Sequence, residues 1–163
     1  MGTPVRQTVI NALVVKLQAI KYSNGYGREI LNDNVKVTRV APSGVNPPAI
    51  FLIQGDETVN PISMNQMYEC ELGIGIGFMD QYNGDAPEDE ALSFMADIQK
   101  AMGTEFSITC TSNSTGSSST QIVNMFETGN SLNISESLVG WILGQVGYSV
   151  RYRRYWLDPN KIA

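Results

Sequence analysis

The chain has 163 residues, two cysteines, no histidine and a formal net charge of −5. That length suits one domain with a single core, and the acidic balance lacks the basic footprint of a protein that holds nucleic acid tightly. Without imidazole, Ser-His-Asp and Cys-His activation of a nucleophile are excluded, as are the common His-based zinc and non-haem iron sites.

Thr3-Pro4 reads as a helix start, with Thr3 as cap and Pro4 in the first helical position. Val9, Ile10, Leu13 and Leu17 follow at helical spacing, so a first helix is expected over Pro4 to Ala19. Met1 to Leu17 is interrupted by Arg6, Gln7, Asn11 and Lys16 and lacks the layout of a signal peptide, so intracellular synthesis is expected. No apolar run is long enough for a membrane helix.

Asn24-Gly25 and Gly27 mark a turn-rich connection from Tyr22 to Asn34. Val35 to Val40 reads as a strand, Pro42 to Pro48 as a loop and Ala49 to Ile53 as a short buried strand. Gly55 to Gln66 is polar and reads as a loop. Tyr68 to Phe78 then alternates strictly. Tyr68, Cys70, Leu72, Ile74, Ile76 and Phe78 share one face, and Glu69, Glu71, Gly73, Gly75 and Gly77 the other. At about 3.4 Å per residue this strand spans roughly 37 Å, longer than a typical strand.

Asp85 and Glu88 have capping-box spacing, and Glu88, Asp89 and Glu90 put negative charge where a helix dipole favours it. A second helix is expected over Ala86 to Met102, with Ala91, Leu92, Met95, Ile98 and Met102 as its apolar stripe and Gly103 as its stop. Glu105 to Thr111 and Gln121 to Glu127 read as strands around a Ser/Thr-rich hairpin loop, Ser112 to Thr120. Ser131 to Gly140 fits either a helical turn or a strand. Trp141 to Tyr155 closes the chain as a long strand. Val146, Tyr148, Val150 and Tyr152 lie on one face of it, and Gly147, Ser149, Arg151 and Arg153 on the other. The expected class is α+β: a single domain over residues 1–163, with a mostly antiparallel or mixed sheet flanked by two main helices.

Few patterns carry chemistry. Gly73-x-Gly75-x-Gly77 sits inside a strand, not in the strand-to-helix turn that a nucleotide fingerprint needs. It reads as a sheet face kept bare for close approach by a helix or another subunit. Glu69 and Glu71 are expected on an outer strand face, or lining a lumen, without a pocket that would split their acidities. Cys70 and Cys110 read as buried thiols, and two sulfurs do not complete a zinc site. No catalytic residue, cofactor or metal is expected. The segment Tyr148 to Trp156 interleaves aromatics with arginines, the residue types enriched in binding hot spots. Tyr148, Arg151, Tyr152, Arg153, Arg154 and Trp156 are therefore the candidate subunit-interface residues, and Tyr152→Ala and Arg153→Ala are expected to weaken assembly more than folding. Single-stranded nucleic-acid binding by stacking, and an ordinary strand with a polar outer face, are the competing readings of this segment.

The order of elements carries a resemblance. A short first helix leads to Pro48-Ala49-Ile50-Phe51-Leu52-Ile53. The long strand Tyr68 to Phe78 runs into the acidic-capped helix Glu88 to Met102. The chain closes on Gly147-Tyr148-Ser149-Val150-Arg151-Tyr152-Arg153-Arg154 and then Asp158-Pro159. Over most of its length this resembles the tail terminator (tail completion or neck) proteins of tailed bacteriophages. The resemblance implies a non-enzymatic virion protein, assembled in the host cytoplasm. It would form a hexameric ring on the head-proximal end of the tail, contacting the tail tube protein and the head connector or stopper protein. DNA would pass its lumen without specific binding, and no membrane would be involved. The alternatives are another tail or neck subunit (tail tube or head-completion protein) and a small histidine-free ligand-binding domain or enzyme.

Overall fold

The computed structural model describes residues 3–38, 44–63, 66–103, 106–111, 116–133, 140–155, 158 and 162. Helix α1 runs from Val5 to Gln18, and its buried residues Val5, Val9, Ile10, Leu13 and Leu17 follow the expected spacing. Pro4 occupies the cap position itself, one place earlier than expected, and no side chain caps the helix. Two single 3-10 turns, Tyr22–Asn24 and Asn32–Asn34, fill the connection to β1, Val35–Val37. The rest of the strand expected to reach Val40 is either outside β1 or, from residue 39, outside the described residues.

Strand β2 is Ala49–Ser63, and this corrects the loop expected over Gly55 to Gln66. A register shift between Gln54 and Glu57 breaks the alternation there. Beyond it the strand meets water on both faces, so polar and apolar side chains follow without a period, Val59 and Ile62 among the exposed ones. Strand β3, Met67–Gln81, shows the expected alternation, with Cys70, Leu72, Ile74, Ile76 and Phe78 buried. Helix α2 is Pro87–Met102, with Pro87 in the first turn and no side-chain cap, so Asp85 and Glu88 do not form a capping box. Its buried stripe is Ala91, Phe94, Met95, Ile98, Ala101 and Met102. Leu92, expected in that stripe, lies off it and is 52% exposed.

Strands β4, Phe106–Thr111, β5, Ser118–Asn133, and β6, Trp141–Tyr155, complete the chain. β6 matches its expected bounds. β5 is longer than expected at both ends and absorbs residues 118–120 of the hairpin loop and 131–133 of the ambiguous stretch. Residues 112–115 and 134–139 lie outside the described residues.

The six strands form one sheet in the order β1-β2-β3-β6-β5-β4. β1 is parallel to β2, and every other pairing is antiparallel. Buried residues of both helices and of one sheet face form a single cluster. Both helices therefore cover that inner face, and neither covers the outer one. Cys70 and Cys110 are buried free thiols, and burial raises the pKa of both above the usual thiol value.

Length decides how much of the sheet is covered. Fifteen residues of strand span about 51 Å, whereas α1 and α2 span about 21 and 24 Å. Residues 58–62 of β2 and 126–131 of β5 are exposed on both faces, so the helix layer leaves part of the sheet uncovered.

Two features fix the layers. Arg28 is only 5% exposed and lies between Asp80 at the end of β3 and Glu90 in the first turn of α2. Its Nε donates to Asp80 Oδ2 at 3.2 Å, and its guanidinium donates to the carboxylate and the backbone carbonyl of Glu90. The guanidinium also stacks over the Phe94 ring, 4.5 Å from the centroid. The second feature is Gly144, which faces Phe78 across β6 and β3. A Cβ there would lie 2.3 Å from the Phe78 ring, which is itself held 4.7 Å from Phe94. Gly144→Ala is expected to lower stability by about 1–3 kcal/mol, read by chemical denaturation, because the buried ring has nowhere to retreat.

Candidate subunit interface

The outer face of β3 and β6 is built by register. Glu71 pairs with Arg151 and Glu69 with Arg153 as direct cross-strand partners. Arg151 Nε donates to Glu71 Oε2 at 3.1 Å, and Ser149 Oγ donates to Glu71 Oε1 at 2.7 Å. Arg153 lies 3.5 Å from Glu69 Oε2. Both arginines are about half exposed, at 47% and 53%. Pairs as exposed as these are screened by solvent and do little to hold the protomer together.

The hydrogen bonds from Ser149 and Arg151 lower the pKa of Glu71 below the ordinary glutamate value. A depressed carboxylate stabilises the folded state above its unfolded-state value, and that contribution is lost as pH falls through the folded value. Carboxyl-carbon NMR titration is expected to find Glu71 titrating low, and Ser149→Ala is expected to move it upward. No upward movement would show that Ser149 does not hold the carboxylate.

Past Asn124 and Arg151, β5 parts from β6. Residues 118–123 of β5 turn instead to pair with β4. On the β5 side of β6, Gln121 Oε1 accepts the Arg153 backbone N–H at 3.1 Å, and Ile162 bridges Arg154. The parting opens a groove of about 380 Å³ on the outer face, lined by Glu69, Gln121, Ile122, Asn124, Phe126, Arg151, Tyr152 and Arg153. Ile122 and Phe126 are 61% and 48% exposed on the outer side of β5, and the Arg151 guanidinium stacks 5.1 Å from the centroid of Phe126. An arginine lying on an exposed aromatic ring beside an exposed isoleucine has the make-up of a protein contact site.

The glycines run across this face in register. Gly75 faces Gly147 on β6, and Gly147 faces Gly129 on β5. The row is not wholly bare. A Cβ at Gly75 would lie 2.8 Å from Gln145 Nε2, and one at Gly77 would meet Phe51 and Ile53. Gly129 has open space above it.

No protein-family model and no curated protein matches the chain.

The structure divides the six residues expected at the interface. Arg151 and Arg153 are on the outer face. Tyr148 and Tyr152 are not surface residues: they are 5% and 1% exposed and belong to the core. They lie on the helix-facing side of β6, where the same alternation that exposes the arginines buries the phenols. Tyr152 donates its hydroxyl to Glu57 Oε1. Burial first, and that hydrogen bond second, raise its phenol well above the usual tyrosine value. Arg154 is half-buried over the Tyr68 ring, 5.5 Å from its centroid, also on the helix-facing side. Trp156 lies outside the described residues. Glu69 and Glu71 are on the outer face as expected, each beside an arginine. Ile122 and Phe126 were not legible as site residues, because the line Gln121 to Glu127 reads as an ordinary strand. Among the described residues no group of three or more Cys, Asp or Glu side chains is placed to hold a metal ion.

Proposed function

We propose that the chain is a structural virion subunit that assembles with copies of itself into a hexameric ring. The ring caps the head-proximal end of a phage tail tube, ends tube polymerisation and joins the tail to the head connector. The observation that carries this reading is the uncovered sheet: strands of about 51 Å on helices of about 24 Å, with exposed Ile122, Phe126, Arg151 and Arg153 on the outer face. A surface of this kind fits a partner better than water.

A contact between two different patches of the same chain closes into a ring when the rotation between copies permits. The resemblance in element order supplies the phage setting. The net charge of −5 suits a lumen that DNA passes without being held. Electron microscopy of the purified protein tests the reading, with closed rings of sixfold symmetry expected. Long tubes would assign the chain to the tube itself. Single particles of protomer size, absent from assembled tails, would overturn both.

A further inference from the structure

We propose that Asn83 is a modification site, where the folded chain converts its own asparagine to a mixture of aspartate and isoaspartate through a cyclic succinimide. This does not rest on the ring reading. The chain has two Asn-Gly dipeptides, Asn24-Gly25 and Asn83-Gly84. The reaction needs the backbone nitrogen of the following residue to reach the side-chain carbonyl carbon of the asparagine. Glycine favours that approach, because it has no Cβ in the way and a wide choice of backbone angles. Both asparagines are exposed, and so are both glycines. Access to water therefore does not separate the two sites, but hydrogen bonding does.

Asn24 closes a 3-10 turn, and its reacting groups are held on both sides. Its Nδ2 donates to the Ala19 carbonyl at 2.8 Å, and its backbone N–H donates to the Lys21 carbonyl at 2.9 Å. The Gly25 N–H, which would be the nucleophile, donates to the Tyr22 carbonyl at 3.0 Å. Gly25 sits at a φ of 77°, and its carbonyl accepts from Lys100 Nζ at 2.6 Å. The same ammonium lies 4.6 Å from the centroid of the Tyr26 ring. Ring closure at Asn24 must first break the bonds to Ala19 and Tyr22.

Asn83-Gly84 lacks these restraints. Residues 82–86 join β3 to α2 without regular structure. The Tyr82 N–H donates to the Gly140 carbonyl at 2.8 Å, and the next backbone anchor is the Glu90 N–H on the Ala86 carbonyl at 3.3 Å. Between them, among the described residues, neither the Asn83 side chain nor the Gly84 N–H has a hydrogen-bond partner. No side chain caps α2, so nothing pins this connection to the helix start.

The step balances with water alone. The Gly84 nitrogen bonds to Asn83 Cγ and loses its proton, and the side-chain nitrogen leaves as ammonia. Water then opens the ring. Breaking the new bond to Cγ gives aspartate, and breaking the original peptide bond gives isoaspartate. Either product adds a negative charge near Asp85, Glu88 and Asp89 at the start of α2, where the helix dipole favours it. Isoaspartate also routes the backbone between β3 and α2 through one extra carbon.

Peptide mapping by mass spectrometry of the full chain, aged folded in mildly alkaline buffer, tests this. The Asn83 peptide should gain the mass of an amide-to-acid change, with isoaspartate identified by its backbone fragments. Asn24 should convert at least about tenfold more slowly, the scale of breaking two ordinary hydrogen bonds. In urea the two rates should converge, because the turn that protects Asn24 is gone. Asn83→Gln, whose longer side chain closes the ring poorly, should stop conversion at that position. Its side chain is exposed, so the variant should unfold as the wild type does. Equal rates at the two sites in the folded protein, or faster conversion at Asn24, would overturn the proposal. So would an Asn83 that stays intact when folded and converts only in urea.

Discussion

Arg28→Ala is expected to lower the free energy of unfolding by about 3–5 kcal/mol, the range for breaking a buried ion pair from one side. The guanidinium is almost fully buried, and two carboxylates converge on it. Removing it leaves Asp80, 17% exposed, facing Glu90 with no cation between them. It also strips the cover from the Phe94 ring. Arg28 ties the connection after α1 to the end of β3 and the start of α2, so its loss loosens three elements at once. Urea denaturation of Arg28→Ala and of Arg28→Ala/Asp80→Asn separates the causes. The double variant should recover part of the loss, because it removes the uncompensated charge. A loss below about 1 kcal/mol in the single variant would show that the pair behaves as a surface pair.

The second large effect separates two neighbours on β6. Tyr152→Ala is expected to lower stability by about 3–5 kcal/mol, as for other buried aromatics cut to alanine. It also leaves Glu57 without its hydroxyl donor. Arg153→Ala should change protomer stability by no more than about 0.5 kcal/mol, since the side chain is 53% exposed and its pair with Glu69 is a surface pair. Its cost should appear in self-association instead. Thermal unfolding and sedimentation, run on both variants, read the two quantities side by side. If Tyr152→Ala folded normally and lost only assembly, the burial of Tyr152 in the protomer core would be the wrong account of that residue.

The contrast shows what could be read in the sequence. Alternation in Tyr68 to Phe78 and in Trp141 to Tyr155 was legible, because one face of each strand packs on helices and the other does not. The same alternation separates Tyr148 and Tyr152 from Arg151 and Arg153, yet the mix of residue types drew all four into one expected site. Residue type suggested a hot spot, while period placed the phenols inside. The distal half of β2 was not legible. A strand wet on both faces loses its hydrophobic period, and the shift between Gln54 and Glu57 removes what alternation is left. Arg28 was also silent, since its partners are 52 and 62 residues away in the chain. The groove beside Phe126 depends on where β5 leaves β6 for β4, and no local pattern reports such a parting.

Light scattering coupled to size-exclusion chromatography measures the mass of the assembled species directly. A mass near six times the 17.9 kDa protomer is expected, falling toward one protomer in Arg153→Ala. A wild-type mass of one protomer at every concentration would contradict the claim that the uncovered sheet exists to hold sister chains.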